Sequence, residues 1–104
     1  MTPPLEVVYS PYAEIDVHEA VLWLNAGPAK LGSEFLDELY RLEQRIRRHP
    51  NMYQRFRGAA RRAVLSRFDF AVVYHPTPEG IEIVAVLHCR LDPRTPASRT
   101  ADDA

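Results

Sequence analysis

The apolar residues of this 104-residue chain change their period once, at Pro50, and that change decides the fold class. Before it, Leu31, Phe35, Leu39, Leu42 and Ile46 recur at steps of four, four, three and four, the spacing of one buried helix face. Val17, Ala20, Val21 and Leu24 make a second, earlier face of the same kind. After Pro50, residues 62–66, 68–75 and 81–88 alternate or run apolar, with Phe68, Phe70, Val72 and Tyr74 on one side. Period two puts alternate side chains on opposite faces of a strand, and no helix can bury such a set together. Helices followed by strands predict an α+β domain and exclude a doubly wound α/β sheet.

Local signals set the boundaries. Leu5 to Tyr9 is β-branched and aromatic, and Ser10-Pro11 then supplies an N-cap with proline at the first helical position. Asn25-Ala26-Gly27-Pro28 ends the first helix, so the two helices form an αα-hairpin. Pro76-Thr77-Pro78-Glu79-Gly80 turns one strand into the next. The last strand has no polar face, as expected for a central position. The expected order is β-α-α-β-β-β, with an additional short strand around Tyr53 to Phe56: a helical hairpin packed on a small antiparallel sheet. Residues 1–92 make a single domain, for which 46% hydrophobic composition is ample. Residues 93–104 are Pro, Arg, Thr, Ser, Ala and Asp and predict a flexible tail.

Charge is segregated behind a net value of only -1. Residues 1–40 carry seven acids against Lys30 alone, residues 41–67 carry nine arginines against Glu43 alone, and the remainder has net charge −3. Guanidinium forks match phosphate and carboxylate alike. The basic middle therefore predicts either a nucleic-acid backbone or an acidic protein segment as partner, or else a solvated helix face at Arg41, Arg45 and Arg48 near a helix C-terminus.

Other classes are excluded or disfavoured. No apolar stretch approaches the ~20 residues of a membrane span, and the first residues show no basic and apolar leader, so a cytoplasmic location is expected. Cys89 is the only cysteine and cannot form an intrachain disulfide. His18, His49 and His75 lack metal-ligand spacing, and neither a metal nor a cofactor is expected.

Ordered pieces along the chain carry a resemblance. They are Val8-Tyr9-Ser10-Pro11-x-Ala13, Asp16, Trp23, Phe35-Leu36-x-x-Leu39, His49-Pro50, Arg61-Arg62, the run Arg67 to Tyr74, and Ala85-Val86-Leu87-His88-x-Arg90-x-Asp92-Pro93. In this order and spacing the chain resembles the RelE/ParE superfamily of bacterial type II toxins, in its ParE-like, plasmid-stabilisation branch, from residue 6 to about 94. The resemblance implies a growth-inhibiting toxin that binds DNA gyrase without bond-breaking chemistry of its own. It also implies neutralisation by a cognate antitoxin, a small DNA-binding protein of the ribbon-helix-helix type with an acidic tail. Arg55, Arg57, Arg61, Arg62, Arg67 and Arg90 are the expected antitoxin contacts.

Two alternatives follow from the same resemblance. A ribosome-dependent messenger-RNA endonuclease of the RelE type would use Arg61, Arg62, Arg67, His88 and Arg90 around a scissile phosphate. Against it, the chain has one lysine and no aromatic residue after Tyr74. An inactive remnant that only binds antitoxin is the other, because Pro96 stands where relatives often carry tryptophan. His88 is expected to be structural, and Trp23 to belong to the core.

Overall fold

The computed structural model describes residues 5–91. The expected flexible tail at 93–104, Pro96 and the Asp92-Pro93 pair lie outside them. The elements are β1 (Glu6–Tyr9), α1 (Pro11–Ala26), α2 (Gly32–Arg48), β2 (Gln54–Arg55), β3 (Arg61–Val64), β4 (Phe70–Pro76) and β5 (Gly80–His88). They form one five-stranded sheet in the order β1-β5-β4-β3-β2, which puts β5 inside the sheet as its apolar composition demands. The α+β reading stands, with one refinement. β2, β3, β4 and β5 pair antiparallel, but β1 joins β5 in parallel, so the sheet is mixed. The helical hairpin between β1 and the other strands is a long enough crossover to permit this.

Ser10 starts α1: its Oγ accepts the Ala13 N–H at 3.1 Å, with Pro11 occupying the first turn. The turn between the helices is tied by Asn25, whose Oδ1 accepts the Gly32 N–H at 2.9 Å. A β-carbon on Gly32 would meet that amide at 2.6 to 2.8 Å, so a larger residue there would displace the Asn25 side chain from its bond. Gly80 has a similar role in the sheet, where its bare Cα passes the Glu6 backbone in the parallel pair.

β1 is too short to cover β5, and α1 takes over where it ends. The Ser10 N–H donates to Ile83 O at 2.9 Å and its Oγ donates to Val84 O at 3.2 Å. One turn later Asp16 Oδ2 accepts the Val86 N–H at 2.9 Å. Between these points β5 carries a bulge: Val73 pairs with Ala85 and Tyr74 with Ile83, which leaves Val84 unmatched on β4. The extra residue turns backbone groups towards the helix, where side chains satisfy them.

The core lies between the hairpin and one sheet face. Phe35, Leu39, Leu42 and Ile46 of α2 are buried against Phe68, Phe70, Val72, Tyr74, Ile83 and Val86. Each such side chain contributes about 1.5–3 kcal/mol on burial. α1 buries only Ala13 and Ala20 completely. Its small residues let it lie close to β5, and its large ones point elsewhere.

Candidate functional site

Those large residues define the most unusual surface of the molecule. Tyr12, Ile15, Leu22 and Trp23 recur along the outer side of α1 and are all more than half exposed. Their spacing of three, seven and one is a helical stripe interrupted by Glu19. Trp23 was expected in the core but is 54% exposed. Its ring stands edge-on to His88 at 5.4 Å and to Phe70 at 6.4 Å, so it caps the end of the sheet and leaves one face outward.

A groove of about 380 Å³ lies on the other flank of α1, between Val17, Leu36, Leu39 and Tyr40, with Tyr9, Glu14 and Glu43 at its polar side. Tyr40 is 61% exposed and Leu36 42%. The Tyr9 hydroxyl donates to Glu43. Burial, then the hydrogen bond and the negative charge of Glu43, push the Tyr9 pKa far up, so the phenol stays neutral. Stripe and groove leave the hairpin with apolar surface on two flanks of α1, and carboxylates line the groove. Such surface accepts apolar side chains of a partner, with cations beside them.

Sequence reasoning missed Tyr9, Glu43 and a second carboxylate, Glu38. Glu38 is 4% exposed, and its Oε2 accepts from the Ser66 N–H and Oγ at 2.6 Å each and from the Arg67 N–H at 3.1 Å. Burial alone would raise its pKa. The bonds from Ser66 and Arg67 and the nearby Arg41 charge outweigh that and lower it. The signal was present: Glu38 stands three residues after Phe35 and four before Leu42, on the buried face of α2. A carboxylate at such a position must have partners.

The predicted arginines do not gather. Arg67 pairs with Glu34 at 2.9 Å beside the first turn of α2, and its guanidinium lies 5.1 Å from the Phe68 ring. Arg90 pairs with Asp69. These two occupy the Trp23 end of the molecule. Arg55 and Arg57 follow the other end of α2, about 25 Å away along a 17-residue helix. Arg61 donates to Tyr53 O at 2.7 Å, and Arg62 lies on the sheet face away from the helices, with Nη2 3.7 Å from Cys89 Sγ.

The proposed nuclease set is split: Arg62 and Arg90 both lie near Cys89, next to His88, whereas Arg61 stands apart. Arg61 pairs with Tyr74 and His88 with Phe70, four residues apart on β4, a separation of about 13 Å along the strand. His88 Nδ1 accepts the N–H groups of Arg90 and Leu91 at 3.2 and 3.1 Å, and so holds the turn after β5. Burial pushes the Cys89 thiol up, and Arg62 only partly opposes it, so this sulfur is a poor nucleophile. Among the described residues no group of His, Cys, Asp or Glu could hold a metal, and no helix is long and apolar enough to cross a membrane.

This chain thus sets a helical hairpin on a mixed sheet, with Ser10-Pro11 at the strand-to-helix junction and apolar side chains outward on α1. Residues 7–93 match the family model of the ParE toxin of the type II toxin-antitoxin system, parDE. The chain belongs to the ParE toxin family. Among solved structures it is similar to the chromosomal ParDE TA system from P. aeruginosa, with 15% identity, a TM-score of 0.69, and 81% of this chain and 95% of that one covered. That likeness concerns the fold. Two structures of TrmO from P. aeruginosa align at 24% identity over 82% and 83% of this chain and 34% of theirs, with TM-scores of 0.46 and 0.44. No curated protein sequence matches the chain.

Proposed function

We propose that this ParE-family chain is a cytosolic growth inhibitor that acts by binding DNA gyrase, and that a cognate antitoxin neutralises it by covering the hairpin face. The observation that carries the antitoxin half is the stripe of Tyr12, Ile15, Leu22 and Trp23, four large apolar side chains left outward on a helix that buries only two alanines completely. An extended amphipathic segment that folds on binding would set its apolar anchors on this stripe and in the Leu36–Tyr40 groove. Acids near its end would meet Arg67 and Arg90, the two expected contacts that lie beside Trp23 and are exposed. The gyrase half follows the family resemblance.

The test is a supercoiling and cleavage assay with purified gyrase, ATP and plasmid. Linear DNA should accumulate, or supercoiling be lost, on adding this protein, and the antitoxin should reverse the effect. No effect at micromolar protein, with messenger RNA cut on translating ribosomes instead, would replace this reading by the nuclease one.

A further inference from the structure

The basic middle of the chain forms a surface that neither the hairpin face nor the gyrase reading uses. Arg41, Arg45 and Arg48 stand at positions i, i+4 and i+7 of α2, on the flank opposite Leu36, Tyr40 and Glu43, and span about 10 Å. The chain then crosses Pro50, held by the Tyr74 hydroxyl at 2.7 Å from its carbonyl, into the β2–β3 hairpin. There Arg55 is exposed, and Arg57 opens the tight turn closed by the Ala60 N–H on its carbonyl at 2.8 Å. The one acid between residues 41 and 57 is Glu43, and it is turned into the groove by Tyr9. None of these five arginines forms a salt bridge among the described residues, and Arg41 alone acts on a carboxylate, that of buried Glu38, through its charge.

We propose that this arginine ridge binds the phosphate backbone of duplex DNA without reading its sequence. Four exposed guanidinium groups and the half-buried Arg45, none held in a salt bridge, are what counterion release from a polyphosphate rewards. Stabilising the α2 dipole explains Arg45 and Arg48 in the last turn, and Arg41 also offsets the charge of Glu38, but neither role extends to Arg55 or Arg57. An acidic peptide needs a set of apolar anchors for specific affinity, and Met52 is the one largely exposed large apolar side chain between these arginines. Single strands are held by exposed aromatic platforms. Here Tyr53 packs edge-on to Tyr74, and Phe56 is overlaid by Arg57 at 5.3 Å, so neither offers a free face for a base. The net charge of -1 means that the ridge, not the protein as a whole, must supply the attraction.

The experiment is fluorescence anisotropy of the full chain with a labelled 20-base-pair duplex, a single-stranded RNA of equal charge and poly-glutamate, each from 20 to 200 mM KCl. Duplex binding should weaken with salt at a log–log slope of up to about −4.5 for five phosphate contacts. Arg41→Gln/Arg45→Gln/Arg48→Gln should flatten that slope by between about 2 and 3, and Arg55→Gln/Arg57→Gln by a little under 2. Glutamine keeps helix propensity, and circular dichroism confirms the fold of each variant. Arg90→Gln, which removes charge at the far end, should leave the slope unchanged. No duplex binding at 20 mM KCl, equal slopes in the ridge variants and Arg90→Gln, or tighter binding of the RNA or poly-glutamate than of the duplex would each overturn the proposal.

Discussion

Replacing Glu38 tests whether a buried carboxylate holds the β3–β4 loop to α2. Its Oε2 gathers three donors from Ser66 and Arg67, and hydrogen bonds to a charged acceptor contribute about 1.5–3 kcal/mol each. Ser66 is exposed, so water re-solvates part of what is lost. Glu38→Ala should therefore cost about 3 kcal/mol, a large share of the roughly 5–15 kcal/mol available to a domain. Glu38→Gln keeps the shape and one acceptor but not the charge, and should cost about half as much. The native carboxyl titrates below its ordinary 4.5. Its contribution is thus fully present above that pH and is lost as pH falls through the lowered native value. Urea midpoints for wild type and both variants between pH 7 and pH 3 provide the measurement. The gap between wild type and Glu38→Gln should narrow as the medium becomes acidic. A gap that stays constant, or a cost below about 1 kcal/mol for Glu38→Ala, would refute the reasoning.

Further perturbations address the turn, the tyrosines and the stripe. Gly32→Ala pushes the Asn25 amide off the first N–H of α2 and should lower stability by about 1 kcal/mol, whereas Asn25→Ala/Gly32→Ala should cost little more than Asn25→Ala alone in thermal melts. Tyr9 and Tyr74 keep their protons longer when folded, chiefly through burial, with Tyr74 pushed up to about 12. Their contribution is complete below the ordinary value of 10.0 and falls as pH rises beyond it, so denaturant midpoints should drop above pH 10 and drop less in Tyr9→Phe. Trp23 is the only tryptophan, so its emission should shift to the blue as antitoxin covers it. Trp23→Ala should weaken that complex by about 2 kcal/mol or more while costing less in stability, as isothermal titration and melting would show.

The helical hairpin and the strand succession were legible because period and punctuation agreed. Ser10-Pro11 capped α1 as expected, and the α2 stripe from Phe35 to Ile46 is buried throughout. The parallel partner of β1 was not legible, since a four-residue strand carries no mark of its neighbour. Trp23 misled because helical spacing identifies a stripe but not whether anything covers it. α1 meets the sheet with alanines, and two apolar flanks remain. The arginines were visible as a cluster in sequence, yet the 17 residues of α2 and the β3 strand carry them to different ends and faces.

The grip of Ser10 and Asp16 on Val84 and Val86 also bears on how the chain is made. Residues 74 and 70 positions apart must meet before β1 and α1 have their hydrogen-bond partners. Nothing synthesised earlier can substitute, because β5 lies between β1 and β4. A nascent chain that stops in the β4–β5 turn therefore carries two helices and three antiparallel strands with no central strand to join β1 to the rest. Loop closure of this length is slow and comes late. The apolar stripe of α1 thus gains its supporting strand only when β5 has left the ribosome, and prematurely terminated chains lack that support.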